Sequence, residues 1–595
     1  MTSKAVTRPA IACALFALAS SGCCGGGNSQ VTFNNLVSEY TYTTLSFSPV
    51  AATAAGYHFH NGAYLNEALD DYDSNGIKKQ RQFFEDFRGR LAKVDLATLT
   101  PEDRADYEVV HDSLTLQLAE LTTLESYKHN PTLYVELVGN ALFTPFMLEY
   151  ATIEERYKHI IARLQKIPAL LGQARQNLVD APEVWTRVAM RENDGNHDMI
   201  VKTLLPNCPK SALPAFERVA ADVLHTLDDF TRWMDTELIK KTSDWRLGAD
   251  KYAIKFGPAL GLGQTPRQVL ADAEAELQKT REEMVATARP LYGKMFAGAA
   301  PPGDASQLIA AVLGKIALEH GQAATYFDDA RRDLREVRKF IQTKGFVALP
   351  GQDNLKVIET PVFMRGIYAV GGFNPAPPLL PHLGAFYWLT PFPASAEPAR
   401  TESKLREYNF YGLKLLTIHE ALPGHYLQFE YANRVAPDTR RLLRAVFGNN
   451  PYIEGWAVYA TKLMIEQGYL DHDPKLLLTW HKQYMRAVAN AILDIRMQTG
   501  DMTDQQAMDL MVKQTFQETE EATAKLQRVK LSSTQLPTYF TGYRGWMRLR
   551  EKVSRQRGSA FNLAKFHELA LQAGAVPMPA LERIVMADGA AAPAR

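Results

Sequence analysis

Three residues that can bind or activate a metal ion lie close together in one apolar stretch. His419, Glu420 and His425 fall within residues 411–431, which read YGLKLLTIHEALPGHYLQFEY. The apolar residues of this stretch recur at the spacing of a buried helical face, at Tyr411, Leu415, Ile418 and Leu422. Burying a carboxylate without a partner costs roughly several kcal/mol. A bound cation would supply the partner that Glu420 and its neighbours need.

The spacing of the two histidines differs from the common zinc motif H-E-x-x-H. Residues four apart lie roughly 40° from each other around a helix, whereas residues six apart lie about 120° from each other. Pro423 cannot donate a backbone hydrogen bond, and Gly424 relaxes the steric limits, so we expect a kink or bulge here. Such a distortion would let His419 and His425 bind one metal, with Glu420 as the base that deprotonates a water. The alternative is a proline-kinked core helix whose histidines are satisfied by hydrogen bonds.

A third ligand is needed, because catalytic zinc sites use about three protein ligands and leave one position open. Glu454 is the candidate, since it is the only charged residue between Asn449 and Lys462. It falls near the start of a predicted helix that follows a turn signal, Asn-Asn-Pro. The alternative is a helix N-terminal carboxylate that the helix dipole favours. Spacing by itself does not separate these two interpretations.

The strings H-E-A-L-P-G-H-Y-L-Q and E-G-W-A-V-Y resemble the motifs of the domain of unknown function 885 family. Its members are regarded as bacterial zinc metallopeptidases, and their helical fold is distantly similar to thimet oligopeptidase and the thermostable metallocarboxypeptidases. The resemblance covers residues 57 to 585 and is specific over residues 411–460. It implies two helical lobes that enclose a deep cleft, with Glu420 as general base. The residues that it marks as ligands of one Zn²⁺ per chain are His419, His425 and Glu454.

A second catalytic residue is predicted in the segment PTYFTGYRGWMR, residues 537–548. A tyrosine hydroxyl beside the metal can stabilise the oxyanion of an attacked carbonyl. The resemblance extends to Tyr539 and Gly542, so Tyr539 is preferred for this role and Tyr543 comes second. Structural packing explains either tyrosine equally well.

An arginine near the metal would bind a substrate carboxylate through two parallel hydrogen bonds. The arginines considered for this role are Arg496, Arg544 and Arg548. Gln498 stands where the family often has histidine, which leaves a role at that position open. His567 matches a family position, and packing is its favoured interpretation because the metal already has its ligands.

The rest of the sequence predicts a mainly α-helical fold. Apolar residues recur at helical spacing from about residue 61 to 341. Thr265 and Gln268 form a capping box that starts one of these helices, and Pro290 should end it. Short extended segments are predicted at 355–358 and 385–389, next to the zinc helix. The second segment is either an edge strand that pairs with substrate or an aromatic connector.

Four segments are predicted along the chain. Residues 1–23 resemble a bacterial lipoprotein signal, with basic residues, a short apolar stretch and Ser-Ser-Gly before Cys23. A lipid on Cys23 would place the protein on the periplasmic side of the cell envelope, and at the outer membrane if the cell is Gram-negative. The alternative is an ordinary secretory signal. The remaining segments are a flexible tether (24–56), an N-terminal helical lobe (57–344) and a catalytic helical lobe with a small β element (345–595).

The charge composition of the chain bears on which partners it could bind. Lysine plus arginine and aspartate plus glutamate both number 66 in 595 residues, so no net charge favours nucleic acid or an anionic membrane. Four cysteines imply no disulfide framework. The leading hypothesis is a zinc metallopeptidase that hydrolyses oligopeptides. The alternatives are a zinc hydrolase of a non-peptide amide or ester and a lipid-anchored binding or scaffold protein without enzymatic activity.

Overall fold

The protein is mainly α-helical, as predicted, and helices account for 72% of its computed structural model. None of the helices among the described residues is long and apolar enough to cross a membrane. The structure describes residues 27–351, 353–365, 368, 370–392 and 396–588. The predicted signal segment, including Cys23, lies outside these residues.

The prediction of a flexible tether is wrong for residues 27–56. This segment forms helices α1 (Gly27–Phe47) and α2 (Pro49–Ala54). Phe33, Val37 and Tyr40 recur at helical spacing and are all buried in the main core. The Tyr40 hydroxyl also donates a hydrogen bond to Ser113 Oγ at 2.7 Å. Buried aromatic side chains therefore hold this segment against the body of the protein.

Twelve helices and a two-stranded antiparallel ribbon follow. The ribbon pairs β1 (Phe59–His60) with β2 (Ala63–Tyr64). The helices are α3 (Ser74–Leu91), α4 (Pro101–Ala119), α5 (Ser126–His129), α6 (Thr132–Met147), α7 (Ile153–Leu164), α8 (Ile167–Asn177), α9 (Glu183–Asp198), α10 (Leu213–Thr236), α11 (Gly248–Leu260), α12 (Pro266–Met295), α13 (Ala305–Ile316) and α14 (Tyr326–Lys344).

These helices contribute mainly to two cores, and Tyr326 and Ala330 of α14 join a smaller third cluster. Buried apolar residues of α6 to α10 pack together in a core of their own. Those of α3, α4 and α11 to α14 pack with the C-terminal helices in the main core. The main core therefore crosses the predicted segment boundary at residue 345.

The capping box of Thr265 and Gln268 is confirmed at the start of α12, but the prediction that Pro290 ends this helix is wrong. Pro290 lies inside the helix. Buried residues on both sides of it, Ala288 and Leu291, pack in the core and hold the helix through the proline. Their burial outweighs the one backbone hydrogen bond that proline cannot make.

In sequence, a three-stranded sheet follows α14 and precedes the C-terminal helices. It contains β3 (Leu355–Glu359), β4 (Gly371–Asn374) and β5 (Ala385–Leu389), in the order β3-β5-β4. Both predicted strands are confirmed, but β5 is not an edge strand, because it pairs parallel with β3 and antiparallel with β4. All five of its residues are buried. The sequence missed β4, whose two glycines are unfavourable in strands.

The C-terminal part of the chain is helical. Its helices are α15 (Pro398–Glu407), α16 (Phe410–Glu420), α17 (His425–Ala432), α18 (Asp438–Val446), α19 (Asn450–Glu466), α20 (Pro474–Gln498), α21 (Asp504–Met508), α22 (Thr519–Leu531), α23 (Pro537–Arg557), α24 (Leu563–Gln572) and α25 (Met578–Asp588).

Helices α19 and α23 approach closely through a pair of glycines. A Cβ atom on Gly455 would lie 2.3 Å from the carbonyl carbon of Gly542. A Cβ atom on Gly542 would lie 1.9 Å from the carbonyl oxygen of Pro451. Only glycine allows the two backbones to come this close. The contact places Glu454, on α19, next to the first turn of α23.

We expect Gly542→Ala to lower the free energy of unfolding by at least about 1–3 kcal/mol, because the added methyl group overpacks this contact. Chemical denaturation measures the change. Gly293→Ala is the matched control, since Gly293 lies exposed in α12 and nothing would meet its Cβ atom. Equal stability of the two variants would contradict the close packing of α19 on α23.

Candidate metal centre and its cavity

The predicted break between the two histidines is confirmed. Helix α16 ends at Glu420, and α17 begins at His425. The amide of Gly424 donates to the carbonyl oxygen of Ile418 at 3.0 Å. A Cβ atom on Gly424 would lie 2.0 Å from the carbonyl oxygen of His419, so glycine is required for this turn. The turn folds the start of α17 back onto the last turn of α16.

A second helix fixes this turn from outside. The indole Nε1 of Trp456 donates to the carbonyl oxygen of Pro423 at 2.8 Å. Trp456 is fully buried in the first half of α19 and lies two residues after Glu454. The turn that carries the histidines and the helix that carries the glutamate are thus joined by a buried hydrogen bond.

The three predicted ligands converge. One nitrogen of His419, one nitrogen of His425 and one oxygen of Glu454 all lie within 4.8 Å of one another. Glu454 Oε2 lies 3.6 Å from His419 Nε2 and 3.4 Å from His425 Nε2. Ligands at ordinary Zn–N and Zn–O distances in a tetrahedral site are roughly 3.3–3.4 Å apart. The two separations from Glu454 are close to this value and fit a metal ion shared with each histidine.

Hydrogen bonding also favours a metal. Glu454 Oε2 is buried and accepts no hydrogen bond from any described residue. The other carboxylate oxygen, Oε1, accepts from Gln535 Nε2 at 3.3 Å. A buried carboxylate oxygen without a hydrogen bond is costly, and a cation at this point would satisfy it. Two imidazoles and one carboxylate are the donor set of a catalytic zinc site.

The charges of the three ligands act on one another. Burial raises the pKa of Glu454, but its interactions with His419 and His425 outweigh burial and hold that pKa well below its usual range. Burial lowers the pKa of His425, but Glu454 outweighs burial and raises it. Glu454 is therefore ionised, as a metal ligand must be.

Aromatic rings support both histidines. The ring of His425 stacks on Phe373 of strand β4, with centroids 6.3 Å apart and planes at 20°. The ring of His419 stacks on Tyr539 of α23, with centroids 6.3 Å apart and planes at 21°. The two imidazoles are nearly perpendicular, at 82°. Residues from the small sheet and from α23 thus orient the ligands.

The two predicted catalytic residues face the same cavity as the ligands. Glu420 is 9% exposed and lines this cavity, but it is not among the three converging ligands. Its negative charge contributes to the raised pKa of His425. Burial and the charge of Glu454 raise the pKa of Tyr539 to about 12, so its hydroxyl keeps its proton. Tyr539 can therefore donate a hydrogen bond into the cavity.

The cavity has a volume of about 600 Å³, and several parts of the chain line it. Strand β4 contributes Gly371, Gly372 and Phe373, and its outer edge is unpaired in the described sheet. Helix α22 contributes Glu521, Lys525 and Arg528, and burial lowers the pKa of the Lys525 amine. Helices α6 and α9 contribute Thr132, Glu136, Val188 and Glu192. The candidate metal centre thus opens into a space large enough for several residues of a peptide.

The sequence pointed to the wrong arginines for the cavity. Arg496 forms an ion pair with Asp501, Arg544 forms one with Asp272, and neither these arginines nor Arg548 line the cavity. Two arginines line the cavity, Arg486 and Arg528. Arg528 donates to the Tyr539 hydroxyl at 3.4 Å and to Gln535 Oε1 at 2.9 Å. Nothing in the local pattern of α22 distinguishes Arg528 from an exposed charge on an amphipathic helix.

Three other positions have structural roles. Gln498 donates to the carbonyl oxygens of Val529 and Ser532 and so holds the end of α22. His567 is fully buried and lies 2.8 Å from the Tyr459 hydroxyl and 2.8 Å from the Phe346 carbonyl oxygen, as its packing interpretation predicted. Tyr543 packs against Tyr484 and does not line the cavity.

Comparisons with known proteins place the chain in a family. It belongs to the family described as bacterial protein of unknown function (DUF885), whose model matches residues 49–585. This confirms the family that the two motifs suggested. Among curated proteins, none matches the chain.

Solved structures support the fold. A proposed lipoprotein of unknown function from Shewanella oneidensis is 27% identical, with a TM-score of 0.77 over 93% of this chain and 99% of that one. A proposed lipoprotein from Colwellia psychrerythraea is 17% identical, with a TM-score of 0.75 over 94% of this chain and 99% of that one. The second likeness shows the fold alone.

We expect the chain to bind one zinc ion and to become more stable in doing so, by about 4 kcal/mol at a free zinc concentration a thousand times Kd. Elemental analysis and the unfolding midpoint with and without chelator measure this. His425→Ala should lose both the metal and the stabilisation, because it removes a ligand. Glu420→Gln should keep both.

The control for this experiment is His225→Ala, which removes an exposed histidine on α10. It should bind zinc like the unsubstituted protein. Full zinc content in His425→Ala would refute the ligand assignment across the Pro423-Gly424 turn.

Proposed function

We propose that this family member is a zinc-dependent metallopeptidase that hydrolyses oligopeptides. One observation carries the proposal. His419, His425 and Glu454 converge to within 4.8 Å of one another, while Glu420 faces the same cavity without joining them. A purely structural metal site needs ligands but no such additional carboxylate.

The residues divide into those that hold zinc and those that act on substrate. His419, His425 and Glu454 would hold the ion. Bound zinc would polarise the scissile carbonyl and make water acidic enough to attack it at neutral pH. Glu420 would accept the proton of the attacking water and then deliver it to the leaving amine nitrogen.

Tyr539 would donate a hydrogen bond to the carbonyl oxygen as negative charge develops on it. Its hydroxyl is held by Arg528 and Gln535, at 3.4 Å and 3.2 Å, and its ring stacks on His419. These contacts place the hydroxyl beside the metal ligands before substrate binds. Arg528 is a positioning residue in this scheme, because it acts through Tyr539.

Strand β4 would align the substrate. It lies at the edge of the described sheet, it lines the cavity, and its Phe373 stacks on a metal ligand. An extended peptide can add to such an edge through backbone hydrogen bonds, which are independent of substrate side chains. Broad recognition of oligopeptides follows from this arrangement. It also assigns to β4 the substrate-pairing role that the sequence suggested for 385–389.

We propose further that the protein is a lipoprotein of the cell envelope, anchored through Cys23 and facing the periplasm. The signal-like N-terminus supports this, as do the descriptions of the two similar structures as proposed lipoproteins. The balanced charge of the chain supports small peptide substrates over nucleic acid.

We expect Glu420→Gln to lower kcat for peptide hydrolysis by about 10²–10⁴-fold, because it removes the general base. Release of fluorescence from a quenched peptide library measures the rate, and elemental analysis checks that zinc is retained. Glu183→Gln, an exposed carboxylate on α9, is the matched control. Hydrolysis of no peptide by the zinc-loaded protein would refute the proposed function.

We expect Tyr539→Phe to lower kcat by about 10²–10³-fold with little change in KM, because the lost hydrogen bond matters most in the transition state. Tyr543→Phe is the matched control, since this neighbouring tyrosine does not line the cavity. Steady-state kinetics on the best library peptide separates the two variants. If both variants lower kcat equally, Tyr539 has no role in oxyanion stabilisation.

A further inference from the structure

The cavity wall formed by α6 and α9 carries two carboxylates that the proposed chemistry does not use. Glu136 lies on α6 and Glu192 on α9, and Thr132 and Val188, each one turn earlier on the same helix, line the cavity beside them. These helices belong to the separate N-terminal core, whereas the metal ligands belong to the C-terminal helices. The two carboxylates therefore reach the cavity from a different part of the fold.

Glu192 is buried without a partner. Its side chain is 3% exposed, yet it lines the cavity. Both carboxylate oxygens are buried, and neither accepts a hydrogen bond from a described residue. Buried polar groups are nearly always hydrogen-bonded, and an unpaired buried carboxylate is strongly disfavoured. No packing requirement explains a glutamate here, because an apolar residue of similar size would fill the same space.

The two carboxylates act on each other. Burial and the charge of Glu136 raise the pKa of Glu192 to about 9, while Arg191 opposes this weakly. Burial raises the pKa of Glu136 to about 7, against a hydrogen bond from Thr132. The surroundings of the pair therefore favour the protonated form of both carboxyl groups. A cation placed between the two carboxylates would take the place of those protons.

The acidic pair and the metal centre border one continuous space. Tyr368 also lines the cavity. Burial raises the pKa of its phenol, and the charges of Glu420, Glu454 and Glu136 raise it further. A ligand that lies along this wall can thus contact the acidic pair at one point and approach the metal ligands at another. A peptide can make both contacts, because its positive group and the bond that is cleaved lie at different points along its length.

We propose that Glu136 and Glu192 form a subsite that binds a cationic group of the substrate, either the free α-ammonium or a basic side chain. The three donors of an ammonium group match the unpartnered oxygens of Glu192 and the carboxylate of Glu136. This inference rests on the proposed function in one respect: the subsite would make the protein prefer some peptides as substrates only if it hydrolyses peptides. Binding itself is independent of turnover.

Two pairs of short peptides test the subsite, since one member of each pair carries a positive charge and the other does not. They are Ala-Ala-Ala-amide with a free amino terminus, its N-acetylated form, N-acetyl-Ala-Lys-Ala-amide and its norleucine analogue. Titration calorimetry at neutral pH measures their affinity for the zinc-loaded full chain carrying Glu420→Gln, which prevents hydrolysis during the titration.

We expect at least one charged peptide to bind about tenfold or more tightly than its uncharged counterpart, as for other buried charge pairs. Adding Glu192→Gln should abolish this difference. Adding Glu136→Gln should reduce it, and Glu183→Gln on the same helix should preserve it. Whether the free amino terminus or the lysine responds identifies the source of the cation.

Equal binding of charged and uncharged peptides would overturn the subsite, as would a difference that Glu192→Gln leaves intact. Hydrolysis by the protein with Glu420 is measured separately. Charge-selective binding without hydrolysis would refute only the proposed function. Hydrolysis without charge selectivity would refute only the subsite.

Discussion

The candidate site depends on one backbone contact, the approach of Gly424 to the end of α16. A Cβ atom at this position would lie 2.0 Å from the His419 carbonyl oxygen, so any other residue would force the turn open. In a continuous helix the two histidines would diverge by about 120°. The turn instead brings their rings to a centroid separation of 4.8 Å. Trp456 then joins this turn to α19, and the glycine contact between α19 and α23 places Tyr539 beside the same ligands.

The sequence predicted the features that depend on local signals. Proline and glycine between the histidines indicated the break, and β-branched and aromatic runs indicated β3 and β5. The family resemblance marked Glu454 as the third candidate ligand, and its carboxylate lies close to both histidines. The capping box of α12 was also correct. Each of these signals is local because it arises from the backbone preferences of a few consecutive residues.

What the sequence missed depends on contacts between distant segments. Strand β4 exists because β5 offers it a partner, and its glycines gave no sign of a strand. Pro290 stays within α12 because the core holds both sides of it. Arg528 and Glu192 look like ordinary charges on amphipathic helices, and only the packing of those helices turns them toward the cavity. Long-range packing of this kind has no signature in a single helix.

The position of α1 limits how far the folded protein could lie from a lipid on Cys23. Because α1 begins at Gly27 and packs on the core, only Cys24, Gly25 and Gly26 separate it from Cys23. Even fully extended, so short a link spans about 10–14 Å. A lipid on Cys23 would therefore keep the start of α1 within this short distance of the bilayer surface.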